Sequence, residues 1–414
     1  MTTPRVIVVG GGAAGLMAAG QAALNGAATL ILEKMSSLGR KLGITARGRC
    51  NLTNIAPLRE FIKHYGPNGR FLRPAFSEFF TSELISFLKS LGVQTVVEDD
   101  RRVFPRSGKA QDVVDALIGW VVRNGAKIQA DNSVEKLLVE KGFIFGVKMS
   151  GGKIYKADAV IIATGGASYP ATGSSGDGYR LAQTVGHNIV SVRPALVPII
   201  TAGDIARRIQ GVSLRNVKVS LIIGGMKAGE ITGEMLFTHF GLSGPIILTL
   251  SKQIVDALCA GKETIISIDL APQLEEEELD KHLLYILNER GRQKTRSILK
   301  TLLPEKLIPV CAQLSGVDSN KLAHQVTVEE RRRLRLWLKD FRISVIGYRP
   351  LKEAMVTAGG VDLDEVEQRT MQSRLVRGLY FAGEVLDIDG DTGGYNLQAA
   401  FSTGRLAGQS AAGK

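Results

Sequence analysis

Three glycines stand at the spacing that lets a protein backbone approach a pyrophosphate. Gly10, Gly12 and Gly15 form a G-x-G-x-x-G sequence, and a carboxylate, Glu33, follows 18 residues after the last of them. The first glycine permits a tight turn, the second permits close approach of phosphates, and the third permits close packing of helix on strand. A carboxylate at this distance can accept hydrogen bonds from ribose hydroxyls. The spacing therefore predicts a dinucleotide site.

The surrounding residues have the composition of the elements that must position this site. Arg5–Val9 is short, apolar and β-branched, which is typical of a parallel strand buried on both faces. Ala13–Leu24 is small and apolar and is followed by Asn25-Gly26, which predicts a helix with a glycine near its C-terminus. A second apolar run over 29–32 then leads into Glu33. This strand–helix–strand unit predicts a doubly wound parallel sheet.

The pattern changes further along the chain. Apolar runs between glycine turns over 134–155 predict a three-stranded meander, and a buried strand over 158–163 follows it. Antiparallel strands are predicted between 217 and 269, and helices are predicted over 273–342. The last residues restore a strand, a glycine loop and a helix. Because these closing elements match the opening ones, residues 191–342 are predicted to be an insertion.

Length and residue usage restrict the class of protein. A chain of 414 residues predicts two or three domains, and its composition is typical of a globular protein. No apolar run reaches the roughly eighteen residues that a membrane span needs. Three distant cysteines, and five histidines without metal-ligand spacing, predict neither disulfides nor a metal site. This cysteine usage favours a cytoplasmic location.

The formal net charge of +12 points to an anionic partner, either a nucleic acid or a small molecule. Residues 1–60 hold seven Lys and Arg against two Asp and Glu, whereas residues 272–342 hold fourteen against eleven. The surplus lies beside the glycine loop, so it favours a phosphate-bearing small molecule over nucleic acid. The arginines of 331–335 are interpreted as a solvated helix face, with an anion or RNA contact as the alternative.

Several later motifs occur in a fixed order. Ala163-Thr164-Gly165-Gly166 and the strand ending at Gly383-Glu384 resemble segments of the two-dinucleotide-binding-domain flavoproteins. Five further motifs resemble those of the YhiN/BaiN-type bacterial FAD-dependent oxidoreductases, which include aminoacetone oxidase-like and bile-acid ene-reductase-like flavoproteins. The resemblance spans essentially the whole chain. These five motifs lie at Gly39-Arg40-Lys41, Gly48-Arg49-Cys50-Asn51-Leu52-Thr53-Asn54, 237–245, 357–361 and 383–398.

This resemblance implies a split FAD domain with an inserted β-barrel and a small helical part. The expected fold class is therefore α/β, with a Rossmann-like, doubly wound and discontinuous FAD-binding domain at 1–190 and 343–414. An antiparallel β-barrel is expected at 191–271 and a helical subdomain at 272–342. The oligomeric state is left open.

The resemblance also implies non-covalent FAD and gives roles to individual residues. Glu33 would hold the adenosine ribose, Arg40 and Lys41 would lie along the diphosphate, Val134 would meet adenine with its backbone, and Glu384 would hold the ribitol chain. The loop and helix N-terminus at 393–398 would lie near the flavin, where a positive dipole stabilises negative charge on the reduced ring. The residues expected to contact FAD are Gly10, Gly12, Ala13, Ala14, Gly15, Glu33, Lys34, Arg40, Lys41, Cys50, Asn51, Val134, Ala163, Thr164, Gly165, Gly383, Glu384, Asp387, Gly393, Gly394, Tyr395, Asn396 and Leu397.

Four residues are candidates for substrate contact or protonation: Arg47, Arg49, His239 and Tyr395. For His239 a loop or capping role is the alternative. Cys50 has no second cysteine nearby, so packing is favoured over redox chemistry.

The preferred reaction is reduction of FAD by NAD(P)H, followed by hydride delivery to an activated double bond of a small molecule. No second complete G-x-G-x-x-G follows Gly166, so NAD(P)H would have to use the substrate cleft. Three alternatives remain. They are an oxidase of a small amine or hydroxy compound that uses oxygen, an RNA-linked flavoprotein such as a tRNA modifier, and a non-catalytic flavin sensor.

Overall fold

The computed structural model describes residues 3–413, and its contacts divide the chain into two compact units. The first unit runs to Pro194 and resumes at Leu351, and the second is Ala195–Pro350. Each unit is described by itself below.

The first unit is built on a seven-stranded sheet. Arg5–Val9 lies near its centre, between parallel neighbours on both sides. All four of its residues from Val6 to Val9 are buried, as expected for a strand covered on both faces. Only the two strands at one edge pair antiparallel. The strands in spatial order are Val366–Glu367, Gln372–Ser373, Leu379–Phe381, Ala159–Ile162, Arg5–Val9, Ala28–Leu32 and Lys127–Gln129.

Smaller sheets and helices complete the first unit. The expected meander is confirmed as Val134–Glu140, Phe143–Met149 and Ile154–Lys156. Thr53–Asn54, Arg102–Pro105 and Thr95–Val97 form a second small sheet, and Ile189–Ala195 pairs with Val356–Val361. The α-helices are Ala13–Leu24, Arg40–Gly48, Leu58–Phe61, Arg73–Glu78, Thr81–Ser90, Ala110–Arg123, Asp177–Gln183 and Tyr395–Ala411.

Two helices of this unit, the N-terminal helix (Ala13–Leu24) and the C-terminal helix (Tyr395–Ala411), pack unusually close. A Cβ at Gly404 would lie 2.4 Å from the carbonyl oxygen of Ala14, and one at Gly408 would lie 2.2 Å from that of Ala18. Both contacts advance in the same direction, so the helices run parallel. Since each residue adds about 1.5 Å, the C-terminal helix begins about 14 Å before the level of Ala14. Its N-terminus therefore extends beyond that of the N-terminal helix.

The second unit is a closed six-stranded antiparallel barrel with helices packed on it. Its longest strands, Ser213–Ile223 and Met226–Phe237, form a hairpin closed by Gly224 and Gly225, which both have positive φ. The strands in barrel order are Ile199–Thr201, Gly241–Ser243, Met226–Phe237, Ser213–Ile223, Thr264–Asp269 and Phe341–Tyr348.

Barrel strands and helices of the second unit share one hydrophobic core. Leu279, Leu334 and Trp337 belong to the same buried cluster as Val219 and Ile266. The expected division between 191–271 and 272–342 stays a prediction. The expected boundary at 343 lies inside the barrel strand Phe341–Tyr348, which pairs with two other barrel strands. The helices are Ile205–Arg208, Pro245–Cys259, Glu276–Glu289, Thr295–Leu299, Ile308–Ser315 and Val328–Lys339.

Across residues 3–413, none of the helices has the length and apolar character needed to cross a membrane.

Candidate functional site

The glycine loop after Arg5–Val9 has the shape that its spacing predicts. Gly10 has a φ of 100°, and a Cβ at Gly15 would lie 1.9 Å from the carbonyl oxygen of Gly10. Gly12 differs, because a Cβ there would meet nothing within 4 Å. Gly12 caps the N-terminal helix without offering it a side-chain acceptor. The free N–H groups of the first helical turn therefore stand beside open space, which is the arrangement that binds a phosphate.

The Glu33 carboxylate is fixed beside this loop. One oxygen accepts a hydrogen bond from the N–H of Gly11 at 2.7 Å, and the other accepts from the N–H of Met35 at 2.8 Å. These two bonds leave further lone pairs on both oxygens. The position suits the ribose contact expected from the sequence.

The three cations expected to contact FAD have different partners. Lys34 pairs with Asp177 at 2.6 Å, and Lys41 pairs with Glu384 at 2.7 Å. Arg40 is exposed and donates only a long bond, 3.4 Å, to the carbonyl of Ala171. Within residues 3–413, Arg40 is thus the one of the three that has no carboxylate partner, and all three cofactor contacts stay predictions.

Glu384 is partly buried, with 19% of its side chain exposed, and it connects three segments of the first unit. It accepts hydrogen bonds from the N–H of Thr357 at 2.8 Å, from the Ser168 hydroxyl at 3.1 Å and from Lys41. Burial by itself raises the pKa of this carboxyl, but the Lys41 charge and the hydrogen bonds outweigh burial and hold the pKa below its ordinary value. Three of about four acceptor positions are used by the protein. The ribitol contact stays a prediction, with little hydrogen-bonding capacity left for it.

A second uncapped helix N-terminus lies at the start of the C-terminal helix. Gly393 and Gly394 have φ values of 131° and 100°, and a Cβ at Gly394 would lie 2.4 Å from the carbonyl oxygen of Thr53. With its amide oriented to satisfy both partners, Asn51 accepts from the N–H of Gly394 at 3.0 Å and donates to Thr53 at 3.1 Å. The segment from Asn51 thus lies directly against the glycine loop, as the expected flavin contacts require.

Further side chains hold the same loop. The Tyr65 hydroxyl donates to the carbonyl of Tyr395 at 2.7 Å, and the amide of Asn54 donates to that of Gly393 at 3.3 Å. Asn68 donates to the Asp387 carboxylate at 3.0 Å. Asn68 thus holds the Asp387 side chain, and the cofactor contact of Asp387 stays a prediction.

Two buried hydroxyls in this unit fit an additional ligand. Thr53 and Thr164 each carry a buried hydroxyl oxygen without a hydrogen-bond partner in the described part of the chain. Buried polar atoms are rarely left unpaired. Together with two uncapped helix N-termini that point the same way with a stagger, these residues fit an elongated ligand with a diphosphate at one position and a polar ring system at the other.

The segment Thr45–Cys50 is backbone-strained. Ala46, Arg47 and Cys50 have φ values of 48°, 58° and 61°, a region that non-glycine residues rarely adopt. Arg47 is exposed. Arg49 forms a salt bridge with Glu98 and lies 4.4 Å over the ring of Phe104. Strain of this kind clusters at ligand sites, and the substrate roles of both arginines stay predictions.

Cys50, Val134 and His239 lie in three different environments. Cys50 is fully buried, and burial raises the pKa of its thiol to about 12, so the thiol stays protonated and packing is favoured over redox chemistry. Val134 is buried at the start of the meander. His239 belongs to the second unit, where its ring lies 4.8 Å from that of Phe240.

The sequence patterns did not indicate four residues near the glycine loop as site residues: Asn54, His64, Tyr65 and Asn68. His64 contacts Asp391, and the two are separated by 327 residues. No local pattern announces a pair so far apart. Asn54 does lie in the motif at 48–54, and the presence of two asparagines three residues apart, Asn51 and Asn54, could have indicated it as a site residue.

Comparison with known proteins gives a consistent result. The family model described as HI0933-like protein Rossmann domain matches residues 4–410. The chain is 35% identical to a 3-dehydro-bile acid delta(4,6)-reductase from Clostridium scindens, over 99% of both chains. It is 30% identical to a ribosomal RNA dihydrouridine synthase from Escherichia coli, over 96% of this chain and 95% of that one.

The fold is similar to that of solved structures at low identity. A 3-ketosteroid-delta4-(5alpha)-dehydrogenase from Rhodococcus jostii RHA1 superposes with a TM-score of 0.52 at 16% identity, covering 100% of this chain and 97% of that one. At this identity the likeness concerns the fold alone.

Proposed function

The chain belongs to the HI0933-like Rossmann family and is an FAD-dependent oxidoreductase, and from that premise we propose that it moves a hydride from NAD(P)H to an electron-poor carbon–carbon double bond. The observation that carries the proposal is the staggered pair of uncapped helix N-termini in the first unit. FAD, when bound, supplies the hydride chemistry.

The chain's own residues would bind and orient this cofactor. The open space at Gly12 and the first turn of the N-terminal helix suit the diphosphate, and Glu33 suits the ribose. The N-terminus of the C-terminal helix, with Tyr395 as its first residue, suits a group that gains negative charge during reduction. Preorganised dipoles of this kind stabilise charge without reorganising.

The class of acceptor follows from two relatives of different substrate. Their names describe reduction of a bile acid with double bonds at positions 4 and 6 and formation of dihydrouridine in RNA. A 3-oxo steroid with a double bond at position 4 and a uracil ring both contain a C=C conjugated to a carbonyl. We therefore propose this conjugated group as the acceptor for the present chain.

Reoxidation of reduced protein tests the acceptor class. The holoprotein is reduced under anaerobic conditions and mixed with 4-androstene-3,17-dione, with a uridine-rich RNA, or with the saturated steroid as a control. We expect flavin colour to return with at least one conjugated acceptor and not with the saturated steroid. Rapid return of colour only with oxygen, with peroxide formed from an amine or hydroxy compound, would instead support the oxidase.

RNA as the acceptor is a second candidate, favoured by the RNA-modifying relative and by one surface of the second unit. The arginines of 331–335 do not provide that surface, because Arg331 and Arg335 both pair with Asp280. A recess of about 520 Å³ lies at the loop after Glu276–Glu289. We call the exposed Arg290, Arg292 and Lys294 of this loop the basic loop.

Salt-dependent binding tests this candidate. Replacement of the three basic-loop residues by alanine should reduce the slope of log Kd against log salt for a ribosomal RNA fragment by about 2 to 3, because each lost phosphate contact removes roughly one counterion. A control variant removes the same charge from the exposed Lys136, Lys141 and Lys156 of the meander. Equal slopes in both variants would argue against RNA binding at the basic loop.

A further inference from the structure

His64 lies beside the N-terminus of the C-terminal helix with its ring held on two sides. Its Nδ1 is 2.8 Å from a carboxylate oxygen of Asp391. Its ring stacks on that of Tyr395, with centroids 4.0 Å apart and planes 20° apart. The His64 side chain remains 36% exposed. An imidazole with one nitrogen fixed and an open face has the geometry of an acid or base rather than of a core residue.

The backbone reinforces this arrangement. The N–H of Asp391 donates to the carbonyl of His64 at 3.0 Å, so the two residues are bonded through main chain and side chain. The amide of Asn396 donates to the carbonyl of Gly390 at 2.7 Å and accepts from its N–H at 2.8 Å, which fixes the residue before Asp391. The imidazole is therefore preorganised by neighbours whose own positions are fixed.

Tyr395 supplies a second donor at the same place. Burial, and then the charge of Asp391, raise the pKa of its hydroxyl to about 12, so the hydroxyl keeps its proton at neutral pH. A protonated phenol can donate to a carbonyl oxygen that gains negative charge. The stacked pair thus combines a group that can release a proton with one that holds its proton.

The other histidines have different settings. His187 is fully buried and bonded through both ring nitrogens, to Glu365 and Ser373. His239, His282 and His324 belong to the second unit. Within the first unit, His64 is the histidine with both a fixed tautomer and an open face.

We propose that His64, oriented by Asp391, is the catalytic proton donor to the acceptor, and that Tyr395 donates a hydrogen bond to the acceptor's carbonyl oxygen. This assignment rests on the proposed reduction of a conjugated double bond. Hydride addition at the β carbon leaves an enolate. The Nε2–H bond of the His64 imidazolium then breaks, and the enolate electron pair forms the new C–H bond at the α carbon. Neutral His64 regains its proton from water, and NAD(P)H is the reductant.

A phenol that mimics the enolate tests the donor without turnover. Oxidised holoprotein is titrated with 4-hydroxybenzaldehyde at a pH below the pKa of the free phenol, and the absorbance of the ionised phenol is followed. Wild type should bind it as the phenolate, because the His64 imidazolium pairs with the negative charge and donates a hydrogen bond to the phenolate oxygen. His64→Gln should bind the phenolate roughly 10- to 100-fold more weakly, the value of a hydrogen bond to a charged group.

Two further variants separate catalysis from structure. Asp391→Asn should give an intermediate loss of phenolate binding, because His64 remains but its orientation is lost. His282→Gln, at an exposed position of the helix Glu276–Glu289 in the second unit, should match wild type. Each variant is first checked for the wild-type flavin spectrum and unfolding midpoint, so that loss of fold is not mistaken for loss of a donor.

Half-reactions provide the kinetic readout. Flavin reduction by NAD(P)H should be unchanged in His64→Gln, whereas reoxidation by the conjugated acceptor should slow by about 10²- to 10⁴-fold. If neither acceptor reoxidises wild type, the proposed function fails while the phenol titration still decides the assignment of His64. Phenolate binding that is absent in wild type, or equal in wild type and His64→Gln, overturns the assignment.

Discussion

Gly12 and Gly15 stand three residues apart and meet opposite surroundings. Gly15 packs against the backbone of Gly10, whereas Gly12 faces open space at a φ of −81° that any residue can adopt. Glycine is therefore required at the two positions for different reasons. At Gly15 the fold requires it, and at Gly12 the ligand requires it.

Alanine at these two positions should therefore have different effects. Gly15→Ala places a methyl group 1.9 Å from a backbone oxygen and should prevent the loop from forming. Gly12→Ala should fold with an unchanged unfolding midpoint but lose FAD affinity, because the methyl group would occupy the space next to the helix N-terminus. Thermal unfolding of apoprotein and FAD titration by fluorescence measure the two effects. Gly151→Ala, also without a neighbour within 4 Å, is the control. FAD affinity equal in Gly12→Ala and wild type would place the diphosphate elsewhere.

Ala46 gives a second prediction at the residue scale. Its φ of 48° disfavours a Cβ, so Ala46→Gly should stabilise the protein by up to about 1 kcal/mol. Ala116→Gly, inside the helix Ala110–Arg123, should destabilise it by about 1 kcal/mol. Denaturant unfolding of both variants measures the sign. Destabilisation of similar size in both would show that Ala46 is not strained.

At the scale of elements, the parallel N-terminal and C-terminal helices and the Lys41–Glu384 ion pair determine the position of the candidate site. The close contacts at Gly404 and Gly408 fix the stagger of the C-terminal helix against the N-terminal helix. The Lys41–Glu384 pair then ties the helix Arg40–Gly48 to the segments at Ser168 and Thr357. Helices carry the dipoles, and the ion pair fixes the loops around them.

Glu384→Gln should destabilise the protein in a pH-dependent way. The folded pKa of Glu384 lies below its unfolded value of about 4.3, so the ion pair contributes above that pH and is lost as the pH falls through the folded pKa. We expect a cost of roughly 2–4 kcal/mol at pH 7, because Lys41 is left half-buried without its partner, and a smaller difference at acid pH. Urea unfolding at both pH values measures it.

The control for this variant is Asp158→Asn. Asp158 pairs with Arg5 at the surface, both about half exposed, and its loss should cost about 1 kcal/mol or less. If Glu384→Gln lowers the free energy of unfolding by as little as the control does, or by an amount independent of pH, the Lys41–Glu384 pair does not have the stabilising role proposed here.

The sequence predicts elements well where a local pattern defines them. Arg5–Val9 and Ala13–Leu24 have the predicted bounds, because each has a clear apolar pattern or a glycine near its end. The contact between His64 and Asp391 could not be predicted, since only the tertiary fold brings these two residues together. For the same reason the pattern did not reveal that Lys41 pairs with Glu384.

At the scale of the whole molecule, the basic residues that give the net charge of +12 lie in different environments. Some of the 52 Lys and Arg are paired with carboxylates, as Arg331 and Lys34 are, and others are exposed in the basic loop. The two compact units contain different features of the proposed function. The first holds the staggered helix N-termini and the His64–Asp391 pair, and the second holds the barrel and the basic loop.

The most direct test of the account is an anaerobic titration of the purified protein with NADPH and NADH, followed through flavin absorbance. We expect a yellow protein, or one that becomes yellow with added FAD, whose colour is bleached by one of the two nucleotides. A colourless protein that cannot be reconstituted with FAD would contradict the cofactor assignment. A flavin that stays oxidised with both nucleotides would contradict the proposed electron donor.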